Sequence, residues 1–150
     1  MADTKQFVGF QLRNEHYGVD IMGVEEIIRL QDITPVPRAP DFVEGIINLR
    51  NQIIPIVDLR KRLRMPVPAE NENTRIIVMK IETRRLGFMV DRVEEVMYIS
   101  TDLIEDAPGM SGGVQGNYVD GVARTDKGMI IILDVVKIFS PEEHMQLSMI

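Results

Sequence analysis

The side chains able to do chemistry are few and scattered. His16 and His144 stand near opposite ends of the chain, and neither has a spaced partner of the His-x3-His kind. A metal centre needs three or four converging ligands, so no metal site is expected. The absence of cysteine excludes disulfides, thiol catalysis and thiolate ligation. The serines are Ser100, Ser111, Ser140 and Ser148, and none sits in a Gly-x-Ser-x-Gly elbow. Gly109-Met110-Ser111-Gly112-Gly113-Val114-Gln115-Gly116 has the glycine content of a phosphate loop. It lacks the Gly-Lys-Ser/Thr ending and the Gly-x-Gly start that make such a loop work, and reads as a flexible insertion. The carboxylate pairs Glu25-Glu26 and Glu94-Glu95 fall in strand-like segments, where neighbours point to opposite faces and cannot share a proton. No catalytic residue and no cofactor is therefore expected. The same pairs do predict a structural need. One glutamate of each pair must share a face with apolar side chains, Glu26 with Val24 and Ile28 or Glu25 with Ile27, and a half-covered carboxylate requires a partner. Arg50, at the end of its strand, is a candidate partner for whichever glutamate is covered.

The elements that would position these residues come in two copies. Tyr17-Gly18-Val19-Asp20-Ile21-Met22-Gly23-Val24-Glu25-Glu26-Ile27 aligns with Leu86-Gly87-Phe88-Met89-Val90-Asp91-Arg92-Val93-Glu94-Glu95-Val96 at an offset of 69. Phe42-Val43-Glu44-Gly45-Ile46 aligns with Tyr118-Val119-Asp120-Gly121-Val122, and Ile54 to Leu59 with Ile130 to Val135, at an offset of 76. The extra residues are expected in the glycine-rich stretch from Pro108 to Asn117. A repeat in sequence implies a repeated supersecondary unit, and this period is too long for a solenoid.

Each copy reads as five short strands. In the first they are Phe7 to Leu12, His16 to Ile21, Val24 to Leu30, Gly45 to Arg50 and Gln52 to Val57, rich in Val and Ile and bounded by Gly, Asn, Asp or Pro. Pro55 cannot donate a ladder hydrogen bond, which predicts an edge or a bulge there. Closure removes sticky edges, so two small, partly closed barrels are expected. Asp58 and Asp134 are placed to cap short helices. Ser140-Pro141-Glu142-Glu143 is a capping box with proline in the first turn and predicts a C-terminal helix over 141–150. The expected organisation is a single 1–150 domain, with subdomains over 6–64 and 75–139 joined by a polar, proline-containing linker over 65–74.

Bulk properties narrow the function. Net charge is −6 and the sequence is 45% hydrophobic, as for a folded globular chain. An acidic balance argues against nucleic acid, and Arg60-Lys61-Arg62 with Arg64 is expected to be a solvated helix face. The amino terminus does not read as a signal peptide. The longest apolar run, Met129 to Leu133, is far below the roughly 20 residues a membrane helix requires. Half of such a chain would be marginal alone, so the two copies should lean on each other. Methionines are plentiful, and Met22 falls on a polar strand face, where a methionine adapts to varied partner shapes.

Several of these strings resemble one known family. Tyr17 to Ile21, Val24 to Ile27, Ile33-Thr34-Pro35-Val36-Pro37, Phe42 to Arg50 and Ile53 to Leu59 are similar to the chemotaxis coupling protein family CheW. In the second half Gly87 to Val93 and Leu133-Asp134 are similar too, so the resemblance runs from about Gln6 to Phe139. It implies an all-β fold of two tandem five-stranded SH3-like barrels, with short helices including a C-terminal one. It implies no catalytic activity. The partners it implies are the regulatory domain of the histidine kinase CheA and the cytoplasmic tip of chemoreceptors. Such a protein would be cytoplasmic and reach the membrane only through receptor arrays. By resemblance, receptor docking falls to Val24, Glu26, Gly45 and Arg50; kinase-binding residues are not assigned. The family usually has glycine after Asn-Leu-Arg, where this chain has Asn51. Asparagine is next best in a left-handed turn, so the hairpin is expected to persist with an altered tip and altered receptor preference. The competing readings are a regulatory coupling module of another two-component system, a small enzyme using the Gly109–Asn117 loop, and an OB-like oligonucleotide binder.

Overall fold

The computed structural model describes residues 3–105, 118–126 and 128–150. The glycine-rich insertion, and with it the whole of the Gly109–Asn117 loop, therefore lies outside the described residues. In chain order the strands are β1 (Thr4–Leu12), β2 (Glu15–Asp20), β3 (Val24–Arg29), β4 (Val43–Leu49), β5 (Gln52–Asp58), β6 (Arg75–Ile81), β7 (Arg84–Val90), β8 (Arg92–Ser100), β9 (Ile104–Glu105), β10 (Val119–Thr125) and β11 (Gly128–Leu133). The helices are α1 (Leu59–Arg62) and α2 (Pro141–Ser148), with single 3₁₀ turns at Ile21–Gly23 and Thr101–Leu103.

Two sheets form, but they do not follow the two copies. One has the order β8-β1-β2-β11-β10-β9, the other β3-β6-β7-β5-β4. The first hairpin of each copy has crossed into the other copy's sheet, so barrel 1 is β3–β7 and barrel 2 is β1–β2 with β8–β11. This corrects the division into 6–64 and 75–139. The reason is two-sided burial. In β6, Ile76, Ile77, Val78 and Met79 are all buried, as are Leu86, Phe88, Met89 and Val90 of β7. A hairpin apolar on both faces must be covered twice, and it is: Ile76, Val78 and Met89 line the interior of barrel 1, while Ile77, Met79, Leu86, Phe88 and Val90 join the core between the barrels. That shared core, the largest of three clusters, includes Phe10, Tyr17, Val57, Leu133 and Phe139. Barrel 2 is filled by Phe7, Ile99, Ala123, Ile130 and Ile132. The copies do lean on each other, by exchange rather than by docking.

The repeat survives as symmetry of pairing. β5 runs parallel to β7 with Ile56 opposite Gly87, and β11 runs parallel to β2 with Ile132 opposite Gly18. The matched glycines thus mark the seam where a returning strand crosses an exchanged hairpin. A Cβ on Gly87 would sit 2.6 Å from Ile56 Cδ1. Both Val-Glu-Glu motifs lie at register shifts, between Val24 and Glu26 in β3 and opposite Gly9 in β8.

β5 is not an edge, since it lies between β7 and β4. Pro55 is tolerated there because Ile46, its partner in β4, spends its own N–H and C=O on Thr34, both at 2.9 Å. The proline nitrogen therefore points toward β7, where the parallel ladder begins only at Ile56. In the second copy Ile131 has an N–H, and the ladder begins one position earlier, at Ile131 itself.

Asp58 caps α1, accepting from Arg60 N at 3.0 Å and Lys61 N at 3.4 Å. Asp134 Oδ1 likewise accepts from Val136 N at 2.9 Å, but residues 135–138 form a turn instead of the expected helix. The capping box at Ser140 and Glu143 is formed at the start of α2.

The basic run is the second correction. Arg60 is 1% exposed, and its guanidinium donates to both oxygens of Asp58 (2.9 and 3.0 Å) and to Asp91 Oδ1 at 2.6 Å. Asp91 Oδ2 also accepts from Arg13 N at 2.7 Å. Burial works against the charged guanidinium, but the two carboxylates outweigh it and hold its pKa above the ordinary arginine value. Lys61 pairs with Glu44. Arg62 pairs with Glu143 at 3.1 Å and lies over the rings of Phe42 and Phe139. These cations join segments of the protein to each other.

Candidate docking surface at the mouth of barrel 1

The β4–β5 hairpin turns through Arg50 and Asn51, with φ of 51° and 68°. Two left-handed residues in a two-residue loop make a type I′ turn, whose twist matches the flanking strands. Asn51 takes the conformation expected of it. Arg50 takes it as well, although a residue with a Cβ is disfavoured there.

Arg50 Nη1 and Nη2 donate to Glu26 Oε1 and Oε2 at 2.7 and 2.8 Å, a parallel, bidentate pair. The two residues come from opposite ends of the sheet, β3 and the tip of β4–β5. The Arg50 side chain is 73% exposed and the Glu26 side chain 26%, so the pair presents a guanidinium edge to solvent over a partly covered carboxylate.

The register shift at Glu25 corrects one detail of the strand reading. Val24 packs on the core between the barrels, whereas Ile28 packs on the interior of barrel 1. They do not share a face, because the extra residue inverts the alternation. Glu26 faces Val78, hence the barrel interior, and its carboxylate lies at the mouth.

Gly45 holds the hairpin's root. Its φ is +148°, and a Cβ there would lie 2.2 Å from the Thr34 carbonyl oxygen. The absent side chain lets Thr34 bridge to Ile46 and so bring the long segment after β3 back onto β4. Gly121 plays the same part in the second copy, where a Cβ would meet Glu105 O at 2.8 Å.

Of the four residues singled out by resemblance, the structure joins Glu26 and Arg50 directly, places Gly45 at the bulge beneath them, and sets Val24 two residues before Glu26 on the other face. Sequence reasoning missed Arg85 and Gln52. Arg85 pairs through Nε with Glu25 and through Nη1 with Gln52 Oε1 at 2.8 Å. Its only signal in the sequence was the offset of 69, which lays Arg85 on His16 and Glu25 on Glu94; that second pair also forms, His16 Nδ1 lying 2.7 Å from Glu94 Oε1. Apolar surface lies close by, with Ile53 57% exposed. Among the described residues no group of three or more His, Asp or Glu is arranged to hold a metal ion, and no helix is long and apolar enough to cross a membrane.

The bidentate contact from Arg50 holds Glu26 below the ordinary glutamate value of 4.5, against an opposing contribution from desolvation, and Arg85 adds to the lowering. A depressed carboxylate pKa means the pair is present above 4.5 and is lost as pH falls through the lowered value. We expect a carboxyl NMR titration of Glu26 to show a midpoint below 4.5 that returns toward 4.5 in Arg50→Gln. Equal midpoints in the two proteins would show that the pair does not persist in solution.

Interleaved β-barrels carrying a bidentate, solvent-facing ion pair beside exposed aliphatic surface define a protein-docking scaffold of the double SH3-like type. Comparison with known proteins agrees. The CheW-like domain model matches residues 6–143. Chemotaxis protein CheW of Treponema pallidum is 38% identical over 147 residues, 95% of this chain and 86% of that protein. Chemotaxis protein CheW of Thermotoga maritima is 38% identical over 141 residues, 92% of this chain and 91% of that protein. The crystal structure of the scaffolding protein TtCheW from Thermoanaerobacter tengcongensis superposes with a TM-score of 0.84 at 38% identity, covering 95% of this chain and 96% of that one. The chain belongs to the CheW-like family.

Proposed function

We propose that this chain is a chemotaxis adaptor that binds the regulatory domain of the histidine kinase CheA and the cytoplasmic tip of chemoreceptors, and so couples receptor state to kinase activity. It works in the cytoplasm and reaches the membrane by recruitment to receptor arrays. It makes and breaks no covalent bond. Its mechanism is placement: a receptor that interconverts between two states can bias the kinase only while the two are held together. Each contact can be modest, because an array supplies local concentration.

The observation that carries the receptor half of this reading is the Glu26–Arg50 pair. A planar guanidinium fork, fixed in direction by two parallel hydrogen bonds and raised on a tight turn, is pre-organised for recognition. Val24 and Gly45 serve it indirectly, one by seating β3 against the shared core and the other by seating β4.

Arg50→Glu tests it. The substitution places two carboxylates together at the tip while leaving every buried contact intact. We expect receptor-tip fragments to bind at least about tenfold more weakly, with an unchanged circular dichroism spectrum. Adding Glu26→Arg should restore part of the loss. Wild-type co-sedimentation of the Arg50→Glu protein with receptor fragments would refute the assignment.

A further inference from the structure

We infer that Arg85, through Glu25 and Gln52, is a positioning residue for the docking surface at the mouth of barrel 1; this rests on the receptor reading given above. The sheet of barrel 1 ends on β3 at one side and β4 at the other. The hairpin tip and the β3 bulge thus approach each other as edges, tied by side chains. Two ties are visible. Arg50 spans from the tip to Glu26. Arg85 spans from Glu25, the neighbouring residue in the bulge, to Gln52, the residue that follows the turn. Together they close a ring around Glu25, Glu26, Arg50, Asn51, Gln52 and Arg85.

Charge explains why the second tie matters to the first. Glu25 and Glu26 are adjacent carboxylates, and the ring supplies one guanidinium to each. Without Arg85, Glu25 competes for Arg50, and the bidentate geometry that aims the guanidinium gives way to a shared one. Arg85 belongs to β7, in the exchanged hairpin of the second copy. The docking surface is therefore built from both copies and cannot be complete in the first alone.

The second barrel separates what the fold requires from what this site adds. His16 and Glu94 repeat the Arg85–Glu25 contact at the other mouth. At the places of Arg50 and Gln52, the offset of 76 puts Asp126 and Gly128. Asp126 cannot supply the guanidinium that Arg50 supplies at barrel 1, and Gly128 cannot supply the amide of Gln52. The recurring half of the contact makes a purely structural role the competing explanation, and a measurement can distinguish the two.

The test compares Arg50→Glu, Arg85→Met and the exchanged pair Glu25→Arg with Arg85→Glu in the full-length chain. Binding is measured to a receptor-tip fragment and, separately, to the kinase regulatory domain, alongside the thermal midpoint and the Glu26 carboxyl titration. We expect Arg85→Met to weaken receptor binding about fivefold, the upper end for a surface pair. It should also shift the Glu26 midpoint upward and leave kinase binding unchanged, and the exchanged pair should recover most of the receptor loss. If Arg50→Glu abolishes receptor binding while Arg85→Met leaves it at wild type, the inference is overturned and the receptor reading stands. A parallel fall in both affinities with a lowered thermal midpoint also overturns it, in favour of a structural role. If Arg50→Glu itself binds receptor normally, the reading beneath the inference is the one that fails.

Discussion

Replacing Arg60 with alanine is expected to destabilise the protein by about 3–5 kcal/mol, the range for removing one partner from a buried ion pair. Domains of this size are stable by only about 5–15 kcal/mol, so about a fifth of the total at the least would be lost. The magnitude follows from what remains after the change. The Asp58 side chain is 2% exposed, and it would be left with the α1 N–H groups as its donors. Asp91, 17% exposed, would keep the Arg13 N–H. The network also bridges the exchange, since Asp58 lies in β5, Asp91 between β7 and β8, and Arg13 in the β1–β2 turn. Losing it loosens the crossing point where the chain passes from one sheet to the other. Asp91→Asn should cost less than Arg60→Ala, because its carboxylate is partly solvated. Urea unfolding of the variants checks this, and a loss below about 1 kcal/mol for Arg60→Ala would mean the buried arginine contributes no more than a surface one.

Gly45→Ala is expected to be the second costly change. Two effects add, each of about 1–3 kcal/mol: a side chain forced to a positive φ, and an overlap within the packed fold. Here the overlap is with backbone, the Thr34 oxygen at 2.2 Å and its carbon at 2.7 Å, and backbone cannot rotate away as a side chain can. Other glycines separate the two effects. Gly128 has φ of +101° with nothing within 4 Å of a Cβ, so Gly128→Ala reports backbone strain alone. At Gly87 the obstruction is the side-chain ends of Ile56 and Ile76, without a positive φ, so Gly87→Ala reports overlap that can relax. The predicted order is Gly45→Ala well above both of the others. Gly45→Ala should also release the Thr34–Ile46 bridge, visible as faster amide exchange at both residues, and weaken receptor capture by unseating the hairpin that carries Arg50. Equal unfolding free energies for Gly45→Ala and Gly128→Ala would rule out the backbone clash.

Some of the geometry at the mouth of barrel 1 was readable from residue order. A cation for the half-covered glutamate of Glu25-Glu26 was expected at Arg50, and the resemblance to the CheW family pointed to Glu26 as that glutamate. Asn51 was expected in a left-handed turn for reasons confined to two residues. The glutamate partnered by Arg85 was not readable, because the interaction crosses between copies that the sequence presents as separate. Arg60 was misread for a related cause: an arginine in a short basic run looks solvated until a distant aspartate, here Asp91, is brought against it.

The order of residues alone carried the strand content, the duplication, the matched glycines, the caps at Asp58 and Ser140, and the family, since all of these rest on local preference or on self-similarity. Which strands share a sheet was settled in three dimensions. An isolated hairpin that is apolar on both faces has no preference between its own copy and the other, and the exchange wins because it buries one face in a barrel and the other in the core between barrels. That choice also places Arg85 beside Glu25 and Arg60 beside Asp91, so the ion pairs follow from the burial of apolar surface.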